Sequence, residues 1–180
     1  MSEAYAADAS ARWAAAIRQR RRSLMQRLGM GAAAALVFSP LLGWTFGVVW
    51  LLGYVVVQLA DLRVFAPIYS GQTNQMGRVR TVLGCVMLFA NATFFGSLSI
   101  PLWLMGGPLG GVCAGLLISA GAIYSTINAP GSKLVLFCAA APQFMYLASM
   151  PFFMAAMGAD TTYVTAVAIA VGVFVMFCLQ

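Results

Sequence analysis

Residues 29–60 read GMGAAAALVFSPLLGWTFGVVWLLGYVVVQLA, a run without one charged side chain. A helix needs about 20 mostly apolar residues to cross the hydrocarbon core of a bilayer. This run is longer, and Ser39-Pro40 lies within it. Proline disfavours helix in the residue before it. The reading is two crossings, 24–39 and 42–62, with Met25 and Leu28 completing the short first one. A single kinked, tilted helix covers the same span.

The pattern repeats outward from this stretch. The segment 63–80 holds Pro67, Gly71, Gln72, Thr73, Asn74 and Gly77, all turn or loop formers. Further apolar runs predict helices over about 81–104, 108–128, 134–157 and 161–179. Between them lie MGGPLGG at 105–111, Pro130-Gly131-Ser132-Lys133 and Gly158-Ala159-Asp160-Thr161. The expected fold is all-α, a polytopic helical membrane protein of about six transmembrane helices. The chain is 62% hydrophobic and 8% charged, against about 25% charged in soluble domains. That comes close to excluding a water-soluble fold.

All ten Lys and Arg fall in three places. Arg12, Arg18, Arg20, Arg21, Arg22 and Arg27 come first, then Arg63, Arg78 and Arg80, then Lys133. Basic residues in short loops mark the cytoplasmic side. With the N-terminus inside, the loops near Pro40, Gly107 and Asp160 fall outside and carry no Lys or Arg. Six spans then place the N-terminus and the C-terminus in the cytoplasm.

Residues 1–28 form a cytoplasmic basic leader in this reading, and 29–180 the six-helix membrane domain. Ser10 is a candidate N-cap for an amphipathic helix over 11–28. Trp13, Ile17, Leu24 and Leu28 share its apolar face, and the arginines fan out toward a lipid bilayer with anionic headgroups. Nucleic acid is not expected as a partner, because aromatic interleaving and a nucleic-acid fold signature are both missing.

The chain contains no histidine. It also lacks a GxxxxGK[ST] loop, a nucleophile elbow, a carboxylate pair and a metal-ligand cluster. No catalytic, cofactor-binding or metal site is expected. Cys85, Cys113, Cys138 and Cys178 stand singly in apolar surroundings and read as packing residues.

Four polar residues stand out as a candidate intramembrane site: Gln58, Asp61, Asn91 and Gln143. An acid in a membrane is costly and often functional. Asp61 lies close to the interface, so pairing with Arg63 or the N-terminal arginines is the simpler role. Asn91 and Gln143 are either packing glue or the walls of a polar pocket between the third and fifth spans. Pro142 would free a backbone carbonyl to line that pocket. Gly107, Gly111, Gly115 and Ser119 repeat every four residues, a candidate packing stripe within the chain or between two copies in a homodimer. Trp44, Trp50, Trp103, Tyr54, Tyr69, Tyr146 and Tyr163 are expected as interfacial anchors.

The arginine-rich leader, the Trp50…Gln58…Asp61 helix, the run IPLW at 100–103 before Gly106-Gly107-Pro108, the Pro-Gly-Ser turn at 130–132 and Pro142 together carry a resemblance. The layout resembles the N-terminal multi-spanning membrane sensor regions of bacterial sensor histidine kinases. That resemblance implies a bacterial cytoplasmic (inner) membrane location and a two-component output, with any kinase activity encoded beyond Gln180. The uncharged end at Phe177–Gln180 fits the expectation of a fragment of a longer protein. The expected function is a sensory or anchoring domain. A small transporter or channel subunit is the alternative.

Overall fold

A computed structural model describes residues 3–71, 77–129 and 131–180. The described residues form helices only: α1 (Glu3–Arg22), α2 (Leu24–Leu42), α3 (Trp44–Val64), α4 (Ala66–Tyr69), α5 (Arg78–Ser97), α6 (Ser99–Met105), α7 (Gly107–Ile127), α8 (Lys133–Ala156) and α9 (Thr161–Leu179). Six spans are long and apolar enough to cross a membrane: α2, α3, α5 with α6, α7, α8 and α9. That composition describes a multi-pass membrane protein. The loop residues Gln72, Thr73, Asn74 and Pro130 lie outside the described residues.

The first two spans are separate helices, but the break is not at Pro40. Pro40 sits inside the last turn of α2, and the chain turns at Gly43, with φ of 93° and ψ of 137°. That backbone region is essentially restricted to glycine. The helices then pack closely because Gly47 on α3 lies against the Ser39 side chain and the Ala35 carbonyl of α2.

The third span is also divided, into α5 and α6 around Leu98. Pro101 supplies the reason: it has no N–H, and its ring clashes with the carbonyl four residues back, that of Ser97. Ser97 Oγ donates to the Phe94 carbonyl at 2.6 Å and Ser99 Oγ to the Gly96 carbonyl at 2.6 Å, easing the break.

α3 shows how the bundle is organised. Gly47, Trp50, Tyr54, Gln58 and Asp61 are buried, at helical spacings of three and four. Val48, Val49, Leu52, Val56 and Leu59 face outward. Apolar outside and increasingly polar inside is the arrangement expected where the solvent is lipid. Trp50 and Tyr54 are therefore core residues rather than interfacial anchors. Their rings stack at 5.4 Å with 4° between planes, and Phe94 and Phe95 of α5 close around them.

The segment before the membrane also differs from a free leader. α1 ends at Arg22, and Leu24 and Leu28 belong to α2, so one continuous face from Trp13 to Leu28 does not form. Trp13, Ala14, Ala16 and Ile17 are instead buried against Phe65, Ile68, Leu88, Ala129, Val135 and Cys138. α1 thus caps the end of the bundle where α3 and α7 finish and α5 and α8 begin.

Candidate functional site

Under that cap, α3 carries Asp61 in its last turn, with no exposed surface. The interface pairing expected for Asp61 goes to two of the leader arginines, not to Arg63, which is exposed. Arg20 Nε and Nη2 both approach Asp61 Oδ1, at 3.1 and 3.0 Å. Arg27 takes the other oxygen, with Nη2 at 3.4 Å and Nη1 at 3.5 Å from Oδ2. Arg20 and Arg27 are therefore turned inward, while Arg12, Arg18, Arg21 and Arg22 are exposed.

The network continues into the membrane spans. Arg27 Nη1 donates to Gln58 Oε1 at 2.6 Å, and Gln58 Nε2 donates to Asn91 Oδ1 at 3.1 Å. Gln58 and Asp61 share a helix face because they are three residues apart. Asn91 meets them from α5, one turn after Leu88, along the buried side that also carries Gly84 and Phe95. A chain of hydrogen bonds therefore links α1, α2, α3 and α5.

Gln143 of α8 stands nearby without joining that chain. Its Nε2 donates to the Ala92 carbonyl at 2.8 Å, while its Oε1 has no partner. Arg20, Arg27, Asn91, Tyr124, Ser125 and Gln143 all border one cavity of about 40 Å³. That volume exceeds the roughly 10–15 Å³ needed for one water. Asn91 Nδ2 and Arg27 Nε are likewise buried and unpaired. Ser125 Oγ donates to the Gly121 and Ala139 carbonyls, at 2.9 and 3.2 Å, and Tyr124 OH to the Ser23 carbonyl at 3.3 Å.

All four sequence-selected polar residues therefore lie in one region, three in the network and Gln143 across the cavity. The carbonyl released by Pro142 is that of Cys138, four residues back, and Cys138 is not in the cavity wall. Sequence reasoning did not single out Arg20, Arg27, Tyr124 or Ser125. The signal for the arginines was available: a buried acid near an interface requires a cation.

At the edge of this region Arg21 Nη1 donates to the Tyr69 carbonyl at 2.8 Å, and its guanidinium lies 5.5 Å from the Tyr69 ring. Burial first, and the Asp61 charge second, push the Tyr69 phenol well above its ordinary value. The candidate packing stripe is elsewhere. Gly111 meets the Trp103 ring and Gly115 meets Met150, both within the chain, while Gly107 has positive φ and open space beside it. Ser119 is half-buried on the same helix.

No group of three or more metal-ligating side chains occurs among the described residues. Comparison with known proteins finds no matching family model, no matching curated protein and no matching solved structure.

Proposed function

We propose that the chain is a sensory and anchoring domain of the bacterial cytoplasmic membrane, with both ends cytoplasmic. In this reading it passes a conformational bias to a cytoplasmic output domain, such as a histidine kinase. The supporting observation is the buried link from α1, which lies outside the membrane spans, to Asp61 and Asn91 within them. A signal of this kind requires two helix packings that a stimulus binds with different affinity. α1 is an element that such a change would move, because one ionic network and one apolar cluster hold it. In this reading the exposed arginines beside it meet anionic headgroups, and the basic loops support the cytoplasmic assignment.

The test joins a histidine-kinase output module after Gln180 and reads autophosphorylation in membrane vesicles. Asp61→Asn is expected to change basal output at equal membrane levels. Unchanged output, in a variant whose α1 is shown to be undocked by proteolysis, would remove the sensory reading.

Transport is the second reading, favoured by the unpaired polar atoms of Asn91 and Gln143 at the cavity. Solute flux in proteoliposomes that disappears in Asn91→Leu would support it. Flux that persists unchanged would take that residue out of the pathway.

A further inference from the structure

The cavity between α2, α3, α5, α7 and α8 has an unbalanced set of groups around it. Arg20 and Arg27 both border it, and the buried carboxylate they share is that of Asp61. The buried ionic set therefore keeps one positive charge in surplus. In a low-dielectric interior an uncompensated charge is far more costly than in water.

Hydrogen bonding points the same way. Arg27 and Asn91 are 3% and 4% exposed, and each has a donor, Nε and Nδ2, with no partner in the protein. Asn91 cannot turn its amide over without losing the bond that Oδ1 accepts from Gln58. Gln143, 2% exposed, is fixed in the opposite sense. Its Nε2 is committed to the Ala92 carbonyl, which leaves the acceptor Oε1 unpaired.

We propose that this cavity binds a small monovalent anion, with a water beside it that donates to Gln143 Oε1. The surplus charge sets the valence. The volume of about 40 Å³ accommodates a halide next to one water, or a small planar oxyanion in place of both. Two guanidinium groups exclude a cation. Water alone satisfies the donors but leaves the charge uncompensated. The site does not depend on whether the domain senses or transports.

The experiment uses the full chain in detergent micelles at constant ionic strength, with gluconate as the bulky background anion. Chloride, nitrate or formate is titrated in while thermal unfolding is followed. A saturable rise in midpoint is expected for the small anions. Chloride NMR line broadening that nitrate reverses is expected in parallel. In Asn91→Leu the apparent affinity falls on the order of tenfold or more, the loss expected for one hydrogen bond to a charged group. A general salt effect, by contrast, would be equal in both proteins and would not saturate.

An anion-independent midpoint with a narrow chloride line means that water alone fills the cavity, and the proposal fails. Equal binding by a folded Asn91→Leu places the anion elsewhere and also overturns it. The wild-type measurements decide the matter even if that variant does not fold.

Discussion

Arg27 Nη2, on α2, donates to the backbone carbonyl of Arg20, on α1, at 3.2 Å across the helix break at Ser23. That contact holds two arginines from consecutive helices side by side although their like charges repel. Asp61 makes the arrangement tenable by giving one carboxylate oxygen to each. The acid is the keystone between the cap helix and the membrane spans.

Replacing Asp61 with leucine should therefore cost about 3–5 kcal/mol, because it leaves two guanidinium groups buried without the carboxylate they share. Denaturant unfolding in micelles measures the loss. Limited proteolysis should show cleavage within α1 at the same time. A loss well under about 1 kcal/mol, the range of an exposed ion pair, would contradict the burial described for this network.

The spans were legible because length and apolar composition alone specify them. The charge clusters offered Arg63 or the N-terminal arginines as partners for Asp61, without separating Arg20 and Arg27 from the rest. The helix ends were less legible. Pro40 looked like a break because proline usually is one, yet in a last turn its missing N–H matters little, and Gly43 alone permits the turn backbone. Trp50 and Tyr54 resembled anchors because aromatic residues favour interfaces. Only the tertiary fold shows Phe94 and Phe95 closing over them. The docking of α1 depends on Leu88, Val135 and Cys138, all distant in sequence, so no local pattern could announce it.

Trp13 separates packing from hydrogen bonding in that docking. It is buried beside Phe65 at a ring distance of 6.5 Å, and its Nε1 has no partner. Trp13→Ala should cost about 3–5 kcal/mol, as large aromatic truncations do. Trp13→Phe should cost much less, since it keeps most of the packing and removes an unpaired donor. Amide exchange across α1 distinguishes them: fast in the alanine variant, near wild type in the phenylalanine one. Equally fast exchange in both would mean that the indole nitrogen holds the helix.

Gly43 and Pro40 offer a contrast in the α2–α3 turn. Gly43→Ala forces a side chain into a backbone region that costs about 1–3 kcal/mol. Pro40→Ala should be close to neutral, because the proline is exposed and the helix already passes through it. Thermal midpoints of the two variants test the assignment. A larger loss at Pro40 would return the break to that residue.

Asp160 supplies a pH dependence outside the spans. Its Oδ1 accepts from the Thr162 N–H at 2.8 Å as the N-cap of α9. Hydrogen bonds from Thr162 hold its carboxyl below the ordinary value. A depressed folded pKa gives stability that is present above the unfolded carboxylate value, about 4, and is lost as pH falls through the folded one. Amide exchange in the first turn of α9 should therefore quicken only in that acidic range. Asp160→Asn keeps a capping oxygen and should abolish the pH dependence. A transition persisting in Asp160→Asn would assign it to another group.

Gly111 tests where the small-residue stripe is used. A Cβ there would lie 3.0 Å from the Trp103 ring, so the site is closed from within the chain. Gly111→Cys should therefore form no disulfide between copies under oxidising conditions in native membranes. Gly110 is tighter still, because a Cβ would run into the Leu102 backbone carbonyl, which cannot rotate away. Gly110→Ala should cost about 1–3 kcal/mol, the usual cost of overpacking, and should loosen α6 from α7. Gly29→Ala has open space beside it and serves as the control. Efficient crosslinking at Gly111 would show instead that α6 swings away and that the stripe serves a second copy.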